Sequence, residues 1–130
     1  MVPIAGCAKR RSLMLLAAIG AVMAAMASSR GSLLQRVPAA AGDCRNPYEG
    51  NTDASAAGAK LYRRECASCH GDSGEGIGHA PPLASIMVRK SSAGALFWVL
   101  RNGGVFHGMP SFSHLPPRQR WQIVTYLQSR

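Results

Sequence analysis

Apolar residues recur at helical spacing in three segments of the chain, and no segment alternates apolar and polar residues in the manner of a strand. Each segment begins with a residue typical of a helix start: an asparagine, a serine and a proline. The segments run from Asn51 to near Gly71, from Ser92 to Asn102, and from Pro116 towards the end of the sequence. This pattern predicts an all-α fold of about three to five helices.

The connections between these helices are rich in glycine and proline. The first, from Gly71 to Gly78, contains four glycines and is followed by Pro81-Pro82. Such a loop can pack tightly against a flat surface, because glycine permits both close approach and positive φ. The second connection, from Gly103 to Leu115, contains Met109-Pro110. We therefore expect a thioether side chain on a loop between two helices.

The first 27 residues have the pattern of an export signal. A positive cluster at residues 9–11 precedes an apolar run of 15 residues, Leu13 to Ala27, which ends in the small-x-small pattern of a cleavage site. The run is shorter than the roughly 20 residues that span a bilayer. We therefore predict a signal peptide at residues 1–27, cleaved near Ala27, and a periplasmic location. A retained membrane anchor is the alternative.

The remaining chain divides into a lead-in and one small domain. Residues 28–50 are rich in alanine, serine, glycine and proline, which predicts a flexible lead-in. Residues 51–130 form the domain. About 80 residues bury little apolar surface, so a domain of this size needs a further apolar component at its centre.

The pentapeptide at residues 66–70 has the C-x-x-C-H pattern. Two thiols at this spacing can each form a bond to a vinyl group of one haem, and the histidine that follows can bind the iron. A zinc site would need a second pair of ligands at matching spacing, and a thioredoxin-like pair would need a βαβ pattern. The motif therefore predicts one covalently attached haem c and its iron, bound by Cys66, Cys69 and His70.

The second axial ligand is inferred from the loop pattern. Met109 lies 39 residues after His70 (109 minus 70), on a loop that can bring a thioether over the open face of the haem. His107 is the main alternative, and His79 and His114 are further candidates. Methionine ligation raises the reduction potential, whereas a vacant position would permit ligand binding or peroxidase chemistry. We expect His70 and Met109 to bind the iron.

Together these motifs resemble the class I c-type cytochromes, in particular the small bacterial monohaem domains, over about residues 56–128. The matching features are a Gly-x-x-x-aromatic helix, C-x-x-C-H-G, Pro-Leu, an Asn-Gly helix end, Met-Pro and a final Tyr-Leu. They are carried by Gly58 and Tyr62, Cys66 to Gly71, Pro82-Leu83, Asn102-Gly103, Met109-Pro110 and Tyr126-Leu127. The resemblance implies the cytochrome c fold, with the helices wrapped around one haem.

The resemblance also implies two specific contacts. Pro82 is expected to give its carbonyl to the second ring nitrogen of His70, a bond that orients the imidazole and raises its basicity. Gly58 and Tyr62 are expected to cross the last helix near Ile123 and Tyr126.

Charge within the predicted domain is uneven. Residues 58–130 contain nine lysines and arginines against three acidic residues, a formal net charge of +6. A basic surface favours acidic partners and an association rate that falls with salt. No interleaving of aromatic and basic residues typical of nucleic-acid grooves occurs in the sequence. We therefore expect redox partner proteins with an acidic docking surface, no nucleic acid, and membrane contact only through a retained leader or a membrane-bound partner.

These features predict periplasmic single-electron transfer, with haem iron cycling between Fe(III) and Fe(II) and no substrate chemistry of the chain's own. The alternative is a dedicated electron-accepting cytochrome subunit of a dehydrogenase or oxidase complex, in which residues 28–50 serve as a docking arm. A third interpretation, a haem enzyme or gas sensor, requires an open iron face.

Overall fold

The computed structural model describes residues 32–130, and the predicted signal peptide lies outside them. In this part of the chain all regular structure is helical, apart from one isolated β-bridge. The elements are a 3-10 turn at Leu33–Arg36, α1 Ala39–Gly42, α2 Thr52–Glu65, α3 Ala67–His70, α4 Ile86–Lys90, α5 Ala93–Asn102, a second 3-10 turn at Val105–His107, and α6 Pro117–Gln128. The all-α prediction is confirmed. None of these helices is long and apolar enough to cross a membrane.

The three long helices begin where the capping residues predict. The side chain of Asn51 accepts a hydrogen bond from the Ala54 amide at 2.8 Å, and the Ser92 hydroxyl accepts one from the Ala95 amide at 3.2 Å. These bonds satisfy amides that have no partner within the first helical turn. The third helix, α6, begins with Pro117, whose missing amide costs nothing at that position.

Helices α2 and α6 cross at Gly58. A Cβ at this position would overlap the Gln122 carbonyl and lie 2.8 Å from Cβ of Tyr126. One turn further along α2, the Tyr62 ring contacts the Tyr126 ring with centroids 5.4 Å apart. The crossing implied by the resemblance is confirmed.

The apolar core lies between α2, α5 and α6. Its most deeply buried side chains, all with essentially no exposure, are Tyr62, Ile123 and Val124. The whole apolar core comprises Leu61, Tyr62, Cys66, Ala67, Val88, Leu96, Leu100, Phe112, Leu115, Ile123, Val124 and Leu127. Cys66 thus belongs to the same cluster that holds the long helices together.

Helix α4 was not predicted, because its five residues are too few to show a periodic pattern. It is nevertheless capped, since the Ser85 hydroxyl accepts a hydrogen bond from the Val88 amide at 3.3 Å. The shortest helices, α1, α3 and α4, bring the total in the described residues to six, against the expected three to five.

The predicted flexible lead-in is corrected for residues 32–50, which contact the helical domain. Helix α1 packs on α5 at Gly94, where a Cβ would overlap the Ala41 carbonyl. The Asn46 amide donates to the Thr125 hydroxyl on α6 at 2.9 Å. Small residues suggested flexibility from the sequence, but here they allow close packing of backbone against backbone.

We predict that Gly58→Ala destabilises the haem-loaded protein by about 2 kcal/mol, since overpacking typically costs about 1–3 kcal/mol. Alanine is intrinsically favoured over glycine in a helix by about 1 kcal/mol, so the close crossing decides the sign. Urea unfolding measures the change. Ala56→Gly, at an exposed position of the same helix, measures the difference in helix propensity between alanine and glycine without a packing contribution. A Gly58→Ala protein more stable than the wild type would contradict the close packing.

Candidate haem-binding site

The C-x-x-C-H residues lie on one short turn that follows α2. The backbone bends at Cys66, which has φ −119°, and resumes as α3. The amides of Cys69 and His70 both donate to the Cys66 carbonyl, at 3.1 and 2.9 Å. Residues three and four apart on a helical turn share one face, so both thiols and the imidazole are presented together. Gly71 ends the turn with φ +82°, a conformation that favours glycine.

The two cysteines differ in exposure, and neither is in a disulfide. The Cys66 side chain is buried and the Cys69 side chain is exposed. Burial, together with the charge of Glu65 and the neighbouring Cys69 thiol, raises the pKa of the Cys66 thiol to about 12. The Cys66 sulfur is therefore uncharged, which suits a position in the apolar core. A thioether bond to a haem vinyl group would keep it uncharged.

His70 is buried, and its ring orientation is fixed by a backbone carbonyl. Its Nδ1 lies 2.9 Å from the Pro81 carbonyl oxygen. A carbonyl can only accept, so Nδ1 carries the proton and Nε2 presents a lone pair for iron. The Pro82 prediction is therefore wrong by one residue, because the preceding proline supplies the carbonyl.

The loop geometry explains why Pro81 takes this role. The amides of Leu83 and Ala84 both donate to the Gly74 carbonyl, at 2.8 and 2.9 Å, and the Gly76 amide donates to the His70 carbonyl at 2.7 Å. These bonds fix the register of the loop and turn the Pro81 carbonyl towards the histidine. Two adjacent prolines made the choice ambiguous in the sequence.

A hydrogen bond from Tyr62 stabilises the end of the haem-binding turn. Its hydroxyl donates to the Gly71 carbonyl at 2.8 Å in the buried interior. Burial is the main cause that raises the pKa of Tyr62 to about 12, and the nearby Cys66 thiol adds to it. The phenol therefore remains a hydrogen-bond donor at any ordinary pH. The aromatic residue was predicted from the sequence as a packing residue, whereas this hydrogen bond was not.

Met109 is held by a backbone bridge at the base of its loop. The Gly104 amide donates to the Met109 carbonyl at 2.9 Å, and the Met109 amide donates to the Gly104 carbonyl at 3.2 Å. The side chain is half-buried and packs against the apolar core. The other candidate ligands, His79, His107 and His114, are all exposed.

The donor set fits haem c. The turn presents two thiols that are not bonded to each other and an imidazole whose Nε2 is available, and this combination is specific to covalently attached haem. Within residues 32–130 no group of three or more His, Cys, Asp or Glu side chains could hold a metal ion without haem. Cys66, Cys69 and His70 would hold the group, and Met109 is placed on the same apolar core.

The helical fold and the thiol–imidazole turn define a small c-type cytochrome domain. Residues 53–127 match the family described as cytochrome C oxidase, cbb3-type, subunit III, and the chain belongs to that family. No curated protein sequence matches the chain. The family confirms the resemblance to c-type cytochromes, the covalently bound haem c with its iron, and haem-based electron transfer.

We predict that Tyr62→Phe destabilises the protein by about 1–3 kcal/mol, because the buried Gly71 carbonyl loses its donor. It should also remove part of the alkaline loss of stability. The pKa of Tyr62 is about 12 in the folded protein and 10 ordinarily, so the folded state retains the proton that the unfolded chain releases. The wild-type free energy of unfolding must therefore fall as the pH rises from 10 to 12.

Urea unfolding of the reduced protein at pH 8 and at pH 11 measures both effects. Tyr126→Phe is the matched control, since the Tyr126 ring packs on Tyr62 but its hydroxyl forms no bond to the haem-binding turn. Parallel pH profiles for the wild type and Tyr62→Phe would contradict the role assigned to the Tyr62 hydroxyl.

Proposed function

We propose that this chain is a periplasmic single-electron carrier whose haem iron is bound by His70 and Met109. One observation supports the second ligand: Met109 packs against the apolar core that contains Cys66, whereas the three histidines that compete with it are exposed. The haem supplies the Fe(III)/Fe(II) couple. With His70 and Met109 as its ligands, the haem would make and break no substrate bond at the iron, and the chain would act as a carrier and not as an enzyme.

Both ligands are anchored independently of the iron, which suits electron transfer. The Pro81 carbonyl holds the His70 ring, and the bridge to Gly104 fixes the backbone of Met109. A geometry imposed by the protein changes little between oxidation states. The apolar core that contains Cys66 would shield a haem bound there from water, and solvent exposure is one of the factors that set a haem's potential.

The proposed periplasmic location is supported by the N-terminal export pattern. The positive cluster and the apolar run of residues 13–27 lie outside the described residues, so this support comes from the sequence alone. Cleavage near Ala27 would leave a chain that starts just before the first described element, the 3-10 turn at Leu33–Arg36.

The proposed partners are redox proteins with an acidic docking surface. The net charge of +6 over residues 58–130 favours them. Next to Met109, Val105 and Phe106 expose 84% and 93% of their surface, which suits a partner that forms a brief apolar contact. Nothing in the sequence favours nucleic acid, and a membrane is involved only if the leader is retained or the partner is membrane-bound.

A second candidate function is a dedicated electron-accepting subunit of an oxidase or dehydrogenase complex. The description of the family, an oxidase subunit, favours it. Gel filtration and co-purification from the native host separate the two functions. A carrier elutes at the mass of a single small domain, and a dedicated subunit remains with larger chains after purification.

We predict that Met109→Ala keeps the covalent haem but becomes high-spin, with a lower reduction potential, because the thioether that favours ferrous iron is lost. The weak long-wavelength absorption band typical of methionine-bound ferric haem should disappear. Absorption spectroscopy and potentiometric titration measure the two changes.

His107→Ala is the matched control on the same loop and should leave both the spectrum and the potential unchanged. If Met109→Ala retains the wild-type spectrum, and His107→Ala loses it, the second ligand is His107. A wild-type ferric spectrum typical of an open iron face would instead favour a haem enzyme or sensor.

We further predict that electron exchange with a small acidic redox protein slows as salt rises, with a screening length of about 8 Å at physiological ionic strength. Neutralising Lys60, Arg63 and Arg64 to glutamine should lower the association rate more than it changes the dissociation rate. Stopped-flow measurements over a range of salt concentrations provide both rates. Exchanging Lys60→Arg and Arg63→Lys is the charge-conserving control. A rate independent of salt would show that the basic charge has no part in docking.

A further inference from the structure

The guanidinium of Arg130 lies against the loop that follows the haem-binding turn. Its Nη1 is buried and has no hydrogen-bond partner among the described residues. It lies 3.0 Å from the point that a Cβ at Gly74 would occupy. A cation therefore sits beside a segment that begins only one residue after His70.

Two contacts keep Arg130 in this position. Its Cζ lies 5.2 Å from the centroid of the Tyr126 ring, a cation–π arrangement, and its carbonyl accepts a hydrogen bond from Arg89 Nη1 at 2.8 Å. In the described part of the chain the one ion pair joins Arg64 to Glu65. Among the described residues, Arg130 thus forms no salt bridge with a carboxylate.

The same loop carries a negative charge, Glu75. The carboxyl group of Glu75 covers Gly71 so closely that a Cβ at Gly71 would overlap it. Its Oε2 accepts a hydrogen bond from the Ser73 amide at 2.9 Å, which fixes the carboxylate over the end of the haem-binding turn. Glu75 is exposed, so solvent screens it more than it screens the buried Nη1 of Arg130.

Both charges act on the buried group that supports the turn. The Tyr62 hydroxyl donates to the Gly71 carbonyl, next to His70. Arg130 opposes, and Glu75 adds to, the rise in the pKa of Tyr62 that burial causes. The electrostatic effects of the two charges are therefore felt at the buried Tyr62 hydroxyl beside the haem-binding turn, and they have opposite signs.

We propose that the charges of Arg130 and Glu75 shift the reduction potential of the haem in opposite directions. Ferric haem carries one more positive charge than ferrous haem. A nearby cation therefore favours the ferrous form and raises the potential, and a nearby carboxylate lowers it. The inference rests on haem c bound at His70 and on the electron-transfer function proposed above.

The test is potentiometric titration of the haem-loaded variants Arg130→Gln and Glu75→Gln. The first should lower the midpoint potential and the second should raise it. The Arg130→Gln shift should largely persist at high salt, because Nη1 is buried, whereas the Glu75→Gln shift should shrink. Arg130→Lys, which keeps the charge, should restore most of the wild-type potential.

Arg118→Gln and Asp53→Asn are the matched controls, since both residues are exposed in the first turns of α6 and α2. Their potentials should stay at the wild-type value at high salt. Shifts of the same sign for Arg130→Gln and Glu75→Gln would indicate a disturbed loop and overturn the inference, as would shifts no larger than those of the controls.

Absorption spectra separate this inference from the proposed function. If the wild type lacks the spectrum of His/Met ligation, the proposed ligand set fails whatever the variants show. If that spectrum is present in the wild type and in both variants while the potentials do not move, only the role of Arg130 and Glu75 fails.

Discussion

The crossing of α2 over α6 is the contact on which the haem-binding turn depends. At Gly58 the two backbones approach so closely that a Cβ would overlap the Gln122 carbonyl, and one turn further along the Tyr62 ring packs in the apolar core beside Tyr126. From there the Tyr62 hydroxyl reaches the carbonyl of Gly71, the first residue of the loop that follows His70. A larger residue at Gly58 would therefore displace the support of the haem-binding turn as well as the helix pair.

The same arrangement explains how a small domain gains enough rigidity for electron transfer. The loop after His70 contains little regular structure, yet its carbonyls and amides are paired with one another, as at Gly74 and Gly76. Buried polar groups that are satisfied in this way make a loop as well defined as a helix. The haem-binding turn and the Pro81 carbonyl are thus held in place by bonds formed within the polypeptide.

Much of this structure could be predicted from local patterns. Asn51 and Ser92 cap their helices because a side-chain oxygen near an unpaired amide is favoured in any context. The spacing of Cys66, Cys69 and His70 likewise specifies a haem without reference to the fold. Long-range contacts were harder to predict. Which of two prolines turns its carbonyl to His70 depends on the register of a loop, and the position of Arg130 depends on how α6 packs against that loop. The lead-in was mispredicted because a composition of small residues is compatible with both flexibility and close packing.

The bridge between Gly104 and Met109 makes the backbone path at Met109 independent of the residues at the tip of the second loop. It closes the loop at its base, so residues 105–108 form a short protruding turn whose ends are fixed by two hydrogen bonds. The course of the backbone at Met109 is thereby decoupled from the sequence of that turn. Val105 and Phe106 can be exchanged for other residues during divergence, or replaced by a grafted turn, without rerouting the chain that carries the thioether. The exposed surface of this turn can therefore change while the backbone at Met109 keeps its course.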